Sequence, residues 1–483
     1  MTTRLGKDAS AGRAGGQTPS ARSRLERLGS AALWVGLWQA ASMLVGSSIL
    51  LAGPWDTVVR LVQLLGDVRF LSVVGFSLVR IVGGFVTAYA CAVAISFVAH
   101  GWPGLGRLLA PGIAALKSVP IACIIVLLLI WVGSRQVSGI AVFLAVFPAV
   151  YYACAEGLGQ VGTGVSEMLS VFRVRRSVRL CAHVWPEVLP YLVGTARNVC
   201  GMAWKAGIAA ELIGSPMGSI GERIYQAKIL LETADLFAWT IVVVALSAAC
   251  EQAFVWLLAH SDRLSLRVAL ALARRTAPQA GLPGELALAD ASIGYGDVAV
   301  ASGISCRLPA GARLVLTDAS GAGKTTLLRT VAGLQAPLAG MVTSPVTASM
   351  VFQDARLVEA LDAPDNVALV VGGSRGVGEV RGLLAELLPE EALGVPVAEL
   401  SGGQRRRVEI VRALASPSAM VLLDEPFASL DERSHRQAAQ FVLRHLGDRT
   451  LVVASHMAGD ADLLSADELS LFESRDGGEG DGC

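Results

Sequence analysis

The chain has 483 residues, 40 Lys+Arg against 40 Asp+Glu for a formal net charge of +0, 53% hydrophobic and 17% charged residues, and a mean hydropathy of +0.56. A disordered chain would be polar and highly charged, and a nucleic-acid binder would carry a basic surplus, so both classes are excluded. An ordinary soluble domain is about one-quarter charged, so the expectation is a membrane part plus a soluble part. The eight cysteines form no C-x-x-C pair and mostly sit in apolar runs, so they read as buried single thiols.

Residues 1–30 are small, polar and basic, with six Arg/Lys against Asp8 and Glu26, and read as a disordered tail. No charge occurs from Leu28 to Trp55, and Ala31–Leu51 alone gives 21 residues, where about 20 span a bilayer as a helix. That run is too long for a secretory signal. Further charge-free runs are Ile81–Gly106, Ser118–Ser134, Gln136–Ala155 and Leu236–Cys250, the last continuing in apolar pattern past Glu251 to His260. Val188–Ile213 is a weaker candidate, interrupted by Arg197, Lys205 and Glu211. Six spans are expected. If the first runs inside to outside, sixteen positive charges fall on the cytoplasmic side, among them Arg107, Lys117, Arg173–Arg179 and Arg263–Arg275, against six outside. The N-terminus is then cytoplasmic.

The stretch Ala277–Glu285, APQAGLPGE, reads as a linker. Beyond it, short β-type runs (Ala312–Leu316, Ala419–Leu423, Thr450–Ala454) alternate with helical segments (Thr325–Ala332, Gln404–Ala415, Ser434–Leu446). That alternation predicts an α/β domain with a parallel sheet. The expected division is a tail over 1–30, a transmembrane part over 31–265, a linker over 266–284, the α/β domain over 285–472 and an acidic tail over 473–483. There is no internal repeat.

Asp318-Ala-Ser-Gly-Ala-Gly-Lys-Thr-Thr326 follows an apolar strand and opens a helix. In the pattern G-x-x-x-x-G-K-[ST], backbone N–H groups wrap nucleotide phosphates, the Lys reaches the β/γ-phosphates and a hydroxyl meets Mg²⁺. Gly321 and Gly323 allow the close approach, and Lys324 is the only lysine in residues 281–483, against fifteen arginines. Asp318 stands where the pattern has its first glycine, and its carboxylate would repel phosphate unless turned away. Leu400-Ser-Gly-Gly-Gln404 precedes a helix beginning Arg405-Arg-Arg, which reads as a solvated charged face. Met420-Val-Leu-Leu-Asp-Glu-Pro426 is an apolar strand ending in two carboxylates. Asp424 fits a Mg²⁺ ligand and Glu425 a general base on water.

Together with Gln353 after Met350-Val-Phe, Ser429-Leu-Asp431 and Ser455-His456, this order resembles the nucleotide-binding domain of ATP-binding cassette (ABC) proteins from about Leu286 to Phe472. The resemblance implies an α-helical membrane domain of about six transmembrane helices followed by an α/β P-loop ATPase domain of ABC type, with ATP and Mg²⁺ as cofactors. It places Tyr295 against adenine and Ser320, Gly321, Ala322, Gly323, Lys324, Thr325 and Thr326 around the phosphates. Thr325, Gln353 and Asp424 go to the metal, and Glu425, His456 and Gln353 to the catalytic set. Ser401, Gly402, Gly403 and Gln404 become the signature that closes over the nucleotide of a second subunit, and Asp431 goes to the loop crossing the dimer interface.

The segment Glu167–Pro190 resembles the cytoplasmic coupling segment of binding-protein-dependent importer permeases at Glu167 and Leu189-Pro190. Met168 and Leu169 replace the two alanines of that pattern, and Arg173 its glycine. An amphipathic interfacial helix is the alternative for this segment. Ser77-Leu-Val-Arg80 with Gly83-Gly-Phe85, Leu116-Lys-Ser-Val-Pro120, and Trp204–Gly214 resemble permeases for nitrate, sulfonate, taurine and related small solutes over roughly 57–262. Arg197, Lys205, Glu211 and Glu251 are costly in hydrocarbon; they either line a pathway or sit near span ends or pair between helices.

The reading is a half-transporter of the bacterial cytoplasmic (inner) membrane, multi-pass, with its ATPase domain cytoplasmic. It pairs with a second copy of the same chain, sits in membrane lipid and takes a small-molecule solute from an extracytoplasmic substrate-binding protein. It has no nucleic-acid partner. The alternatives are an ABC exporter half-transporter, disfavoured by the short loops, and a weakly hydrolysing regulatory ABC subunit, raised by Asp318 and the altered coupling segment. Nitrate, an alkylsulfonate, another small organic anion and a thiamine-type pyrimidine precursor all stay open as solutes. Residues 1–280 carry 24 Lys/Arg and 13 Asp/Glu, and residues 281–483 carry 16 and 27. The overall neutrality is thus a cancellation between a basic membrane half and an acidic ATPase half.

Overall fold

A computed structural model of the chain describes residues 21–470 apart from Gln279, Pro283, Ser320, Val346 and Ala458; the side chains of residues 21–28 and of Ala31 also lie outside that description. Residues 1–20 of the expected tail over 1–30, and all of the expected tail over 473–483, therefore fall outside it. Chain contacts divide the molecule into two units: residues 1–155 with 194–255, and residues 156–193 with 256–483.

The first unit is helical. It holds α1 (Ala21–Val45), α2 (Pro54–Leu65), α3 (Phe70–Gly101), α4 (Pro103–Ser118), α5 (Ile121–Val132), most of α6 (Val137–Gly159), the later part of α9 (Trp185–Gly214), α10 (Ile220–Ile229) and the first half of α11 (Thr233–Arg274). Helix α1 begins ten residues inside the expected disordered tail. The Ala, Arg, Leu and Glu of Ala21–Leu28 are good helix formers and extend the helix backwards past the apolar run. Among the described residues α3, α6 and α11 are each long and apolar enough to cross a membrane, and the pair α4–α5 is a fourth candidate, bent by 103° at its break. The expected third span over Ser118–Ser134 holds α5, and the break lies at its start, between it and α4. Val119 and Pro120 are extended, because Pro120 has no N–H and disfavours helix in the residue before it. The glycines of two motifs mark close helix packing. A Cβ at Gly84 would lie 2.3 Å from the Gly139 carbonyl oxygen, and one at Gly207 would lie 2.6 Å from Ile81.

Glu211 is fully buried in this unit. Its Oε2 accepts from Ser77 Oγ at 2.7 Å and from the Gly221 N–H at 3.2 Å, fastening α9 to α3 and to the start of α10. It makes no ion pair with Lys205 among the described residues.

The second unit contains α7 (Thr163–Val171), the short α8 (Arg176–Arg179), the α11 terminus and an α/β domain. A three-stranded antiparallel sheet joins β1 (Leu286–Tyr295), β2 (Val298–Leu308) and β4 (Ala339–Thr343) in the order β2-β1-β4. A five-stranded sheet is built from β3 (Arg313–Leu316), β5 (Ala348–Val351), β6 (Met420–Asp424), β7 (Thr450–Ala454) and β8 (Asp467–Leu469) in the order β5-β6-β7-β3-β8, every pair parallel. Helices α12 (Lys324–Val331), α13 (Ala363–Val371), α14 (Val377–Ala385), α15 (Gly402–Ala415), α16 (Glu432–Leu446) and α17 (Asp460–Leu464) complete it. Strands β6 and β7 are buried along their whole length, as the continuous apolar runs of a covered parallel sheet require. Helix α11 runs through Arg274, so the first part of the expected linker is helical. Leu266, Ala269 and Ala273 recur at helical spacing and are buried with Val178, Ala182 and Leu361.

Candidate functional site

In a parallel sheet the loops after the strands gather at one edge, where ligands bind. Leu316 and Asp424 both pair with Ala454, so β3, β6 and β7 end side by side. The phosphate loop, the Asp424-Glu425 pair and Ser455-His456 therefore open from one place.

The loop after β3 turns through Gly321 (φ +85°) and Gly323 (φ +98°) into α12. Both lie in the left-handed region that only glycine enters without cost. Ser320 lies outside the described residues. Ala322 and Lys324 are buried, and Lys324 Nζ donates to the Asp318 carbonyl. The Asp318 carboxylate accepts from Ser470 Oγ at 2.6 Å, after β8, so the departure from glycine is accommodated by a partner. Tyr295 ends β1 half-exposed, with its hydroxyl 3.5 Å from Thr326 Oγ1.

Thr325 Oγ1 donates to Asp424 Oδ1 at 3.1 Å. Asp424 is buried, its Oδ2 has no hydrogen-bond partner, and burial pushes its carboxyl up to about 6. An orphaned buried carboxylate oxygen beside a threonine hydroxyl is the oxygen-rich donor set that Mg²⁺ prefers, so these residues fit the ion. Glu425 sits next in the chain with φ +50°, its N–H held by the Ala454 carbonyl at 2.9 Å. That left-handed turn is uncommon for a non-glycine residue. It directs the Glu425 carboxylate to the exposed His456, whose Nδ1 is 2.6 Å from Oε2.

Ser401 caps α15 through a reciprocal box with Gln404: Gln404 N–H to Ser401 Oγ at 3.3 Å, and Ser401 N–H to Gln404 Oε1 at 2.9 Å. Ser401 and Gly402 are exposed, and Gly403 lies 3.4 Å by its would-be Cβ from Leu430 and from the Ser429 carbonyl. Asp431 caps α16 and accepts from Ser434 N–H at 3.0 Å and Oγ at 2.8 Å, which hold its carboxyl below the usual range. The structure thus brings Tyr295, the phosphate loop, Asp424, Glu425 and His456 together. It shows no hydrogen bond from Ser401–Gln404 to the phosphate loop among the described residues.

The Arg405–Arg407 run is not a solvated face. Arg405 donates to the Val397 carbonyl at 2.9 Å, and Arg407 to that of Leu387 at 2.7 Å. Arg406 is buried and donates to the Phe352 and Gln353 carbonyls. It also meets Glu409 at 3.2 Å. Glu409 is fully buried, lies 3.5 Å from Arg412, and accepts the Arg356 N–H at 2.7 Å. The i, i+3 series Arg406, Glu409, Arg412, whose last two members interrupt the apolar run Val408–Ala415, is a signal in the sequence that the motif reading passes over. The backbone carbonyls of Gln353 and Arg356 are thereby pinned to α15, while the Gln353 side chain stays exposed.

Glu167 of α7 is gripped from two directions. Arg329 of α12 donates to both its oxygens, at 2.7 and 3.0 Å, and Arg356 donates to Oε2 at 2.6 Å. Hydrogen bonding to Arg329, then to Arg356, holds the carboxyl below its ordinary value against the opposing effect of burial. Met168, Leu169, Val171 and Phe172 are buried in the core of the α/β domain. Apolar side chains thus fill the two alanine positions of the pattern. Arg173, at its glycine position, keeps the left-handed backbone, with φ +52°.

A family model described as ABC transporter matches residues 301–428, and one described as binding-protein-dependent transport system inner membrane component matches residues 81–264. An aliphatic sulfonates import ATP-binding protein of Pseudomonas syringae pv. tomato is 33% identical over 203 residues, 42% of this chain and 75% of that protein. One from Streptomyces avermitilis is 37% identical over 185 residues, 37% of this chain and 73% of that protein. A dimeric bacterial ABC transporter cassette of known structure aligns at 24% identity with a TM-score of 0.35, covering 38% of this chain and 94% of that one. With its phosphate loop, paired acidic strand end and capped signature on one α/β domain behind a permease segment, the chain belongs to the ABC transporter family, as an inner-membrane permease part fused to a nucleotide-binding cassette that couples ATP hydrolysis to transport.

Proposed function

We propose that two copies of this chain form an ATP-driven importer for a small organic anion of the aliphatic-sulfonate type, delivered by an extracytoplasmic binding protein. The observation that carries this reading is the seat of Glu167. The cytoplasmic segment that resembles an importer's coupling segment grips both the helix after the phosphate loop and the segment after Gln353. The names of the similar sulfonate-import proteins support the solute class. Six spans in the bacterial cytoplasmic membrane, with the N-terminus and cassette inside, agree with the positive-charge bias.

In the cassette, the N–H groups of Gly321–Gly323 cradle phosphate oxygens, and Lys324 exchanges the Asp318 carbonyl for them. Tyr295 packs on the adenine. Thr325 and Asp424, with Gln353, would hold Mg²⁺, which supplies neutralisation of phosphate charge when bound. Glu425 polarises the attacking water, and His456 fixes the orientation of its carboxylate. The exposed Ser401–Gln404 cap spends its hydrogen bonds internally, which suits closure over nucleotide held by the second copy.

The test is reconstitution in liposomes with the cognate binding protein. ATP-dependent accumulation of an alkanesulfonate, lost in Glu425→Gln, supports the reading. Hydrolysis that ignores both binding protein and sulfonate, or export of solute, overturns it.

A further inference from the structure

The first unit contains a cavity of about 360 Å³ at the break between α4 and α5. Such a volume lies within the range of small-molecule sites, about 300–1,000 Å³. Its wall is apolar, formed by the extended Val119, by Ile121 in the first turn of α5, by Leu144 of α6 and by Met202 of α9. Two lysines enter it, Lys117 from the end of α4 and Lys205 from α9. Neither has a carboxylate partner among the described residues. The Lys117 ammonium lies 5.6 Å from the Tyr152 ring centroid, which steadies it at the rim without neutralising it.

Two uncompensated ammonium groups beside an apolar wall are complementary to a molecule with a negative head and a hydrocarbon tail. The anion must also stay charged against an apolar wall. Burial drives a carboxylic acid toward its neutral form, and a neutral head gains little from an ammonium. A strong-acid head such as a sulfonate keeps its charge. Broken helices at binding sites inside transporters follow the same logic, with irregular backbone tolerated where it lines a cavity.

We propose that this cavity is a binding site for an alkyl-chain monoanion of strong-acid type, with Lys117 and Lys205 as its two cationic contacts. The assignment rests on the organic-anion import reading given above and adds a location and a pair of residues to it.

The experiment is titration calorimetry of the full chain in nanodiscs with 1-hexanesulfonate, alongside 1-hexanol and inorganic sulfate. Wild type is expected to bind the sulfonate more tightly than either comparator, and more weakly as salt rises. Lys117→Gln and Lys205→Gln should each weaken binding by about tenfold or more, the size of a lost charged hydrogen bond. Lys→Arg at either position should restore most of it. A monodisperse elution profile and retained ATP binding exclude misfolding as the cause. Equal sulfonate binding by wild type and the double Gln variant overturns the site. If that double variant also accumulates sulfonate in liposomes like wild type, the site falls while the importer reading stands. A wild-type chain that neither binds nor transports an alkanesulfonate overturns both.

Discussion

Replacing Glu409 by Gln isolates the buried charge cluster of α15. The carboxylate is fully buried between Arg406 at 3.2 Å and Arg412 at 3.5 Å, and it accepts the Arg356 N–H at 2.7 Å. Glutamine keeps the shape and one acceptor oxygen, so packing and the Arg356 contact can survive. The negative charge is lost, and two guanidinium groups remain in the interior without compensation. Breaking a buried pair in this way costs about 3–5 kcal/mol, and the retained acceptor places the estimate near the lower end, about 3 kcal/mol. For a domain of roughly 150–250 residues each kcal/mol moves the melting temperature by about 2–4 °C, so a drop of about 6–12 °C is expected. The nine tryptophans all lie at or before Trp256, so tryptophan fluorescence is blind to the cassette; the readout is the midpoint of thermal inactivation of ATP hydrolysis by the full chain. A midpoint within about 2 °C of wild type, below the shift expected for 1 kcal/mol, would refute the claim that Glu409 compensates the two arginines.

Further outcomes are expected. Glu425→Gln should lower turnover by about 10²–10⁴-fold, the usual contribution of a positioned base, while leaving nucleotide affinity near wild type in a filter-binding assay. Glu167→Gln should leave basal hydrolysis within about twofold and reduce solute moved per ATP by about tenfold, the equivalent of one charged hydrogen bond; a preserved transport-to-hydrolysis ratio would count against the coupling role. Asp424 must be ionised to hold a cation, so Mg²⁺-dependent nucleotide affinity should fall as pH drops through about 6. The stability of the metal-free chain responds with the opposite sign. A carboxyl raised from 3.8 to about 6 favours the folded state at low pH, and that contribution is lost as pH rises through the window. Gly84→Ala should prevent close packing of α3 on α6, because its Cβ would fall 2.3 Å from the Gly139 carbonyl. The measurement is the monodisperse fraction after detergent extraction.

The elements legible in the sequence are those whose signal is local. Thr450–Ala454 is a strand by its own apolar run and flanking turns, and the phosphate loop, Asp424-Glu425 and Ser401–Gln404 are contiguous motifs. The antiparallel sheet escaped because β1 and β2 carry bulges, with register shifts between Leu288 and Ala291 and between Ala291 and Ile293, which blur a two-residue period. Leu116–Pro120 is read by resemblance alone, and the 103° bend at its end depends on packing that hydropathy does not encode. Arg329 and Arg356 stood unremarked because their partner Glu167 is more than 160 residues away. The Arg405–Arg407 run reads as solvated by composition alone, and only its neighbours' orphan carbonyls give it another purpose.

The grip on Glu167 has the logic of a coincidence gate. One carboxylate is tied to two separate elements: Arg329 on the helix after the phosphate loop, and Arg356 in the segment after Gln353. Hydrogen bonds of 2.6–3.0 Å tolerate little stretching before they weaken. If only one arm moves by an ångström, its bonds to Glu167 lengthen. If both move together, α7 is carried with them. A displacement shared by both partners leaves all three bonds unstretched, whereas a displacement of one alone must lengthen its own.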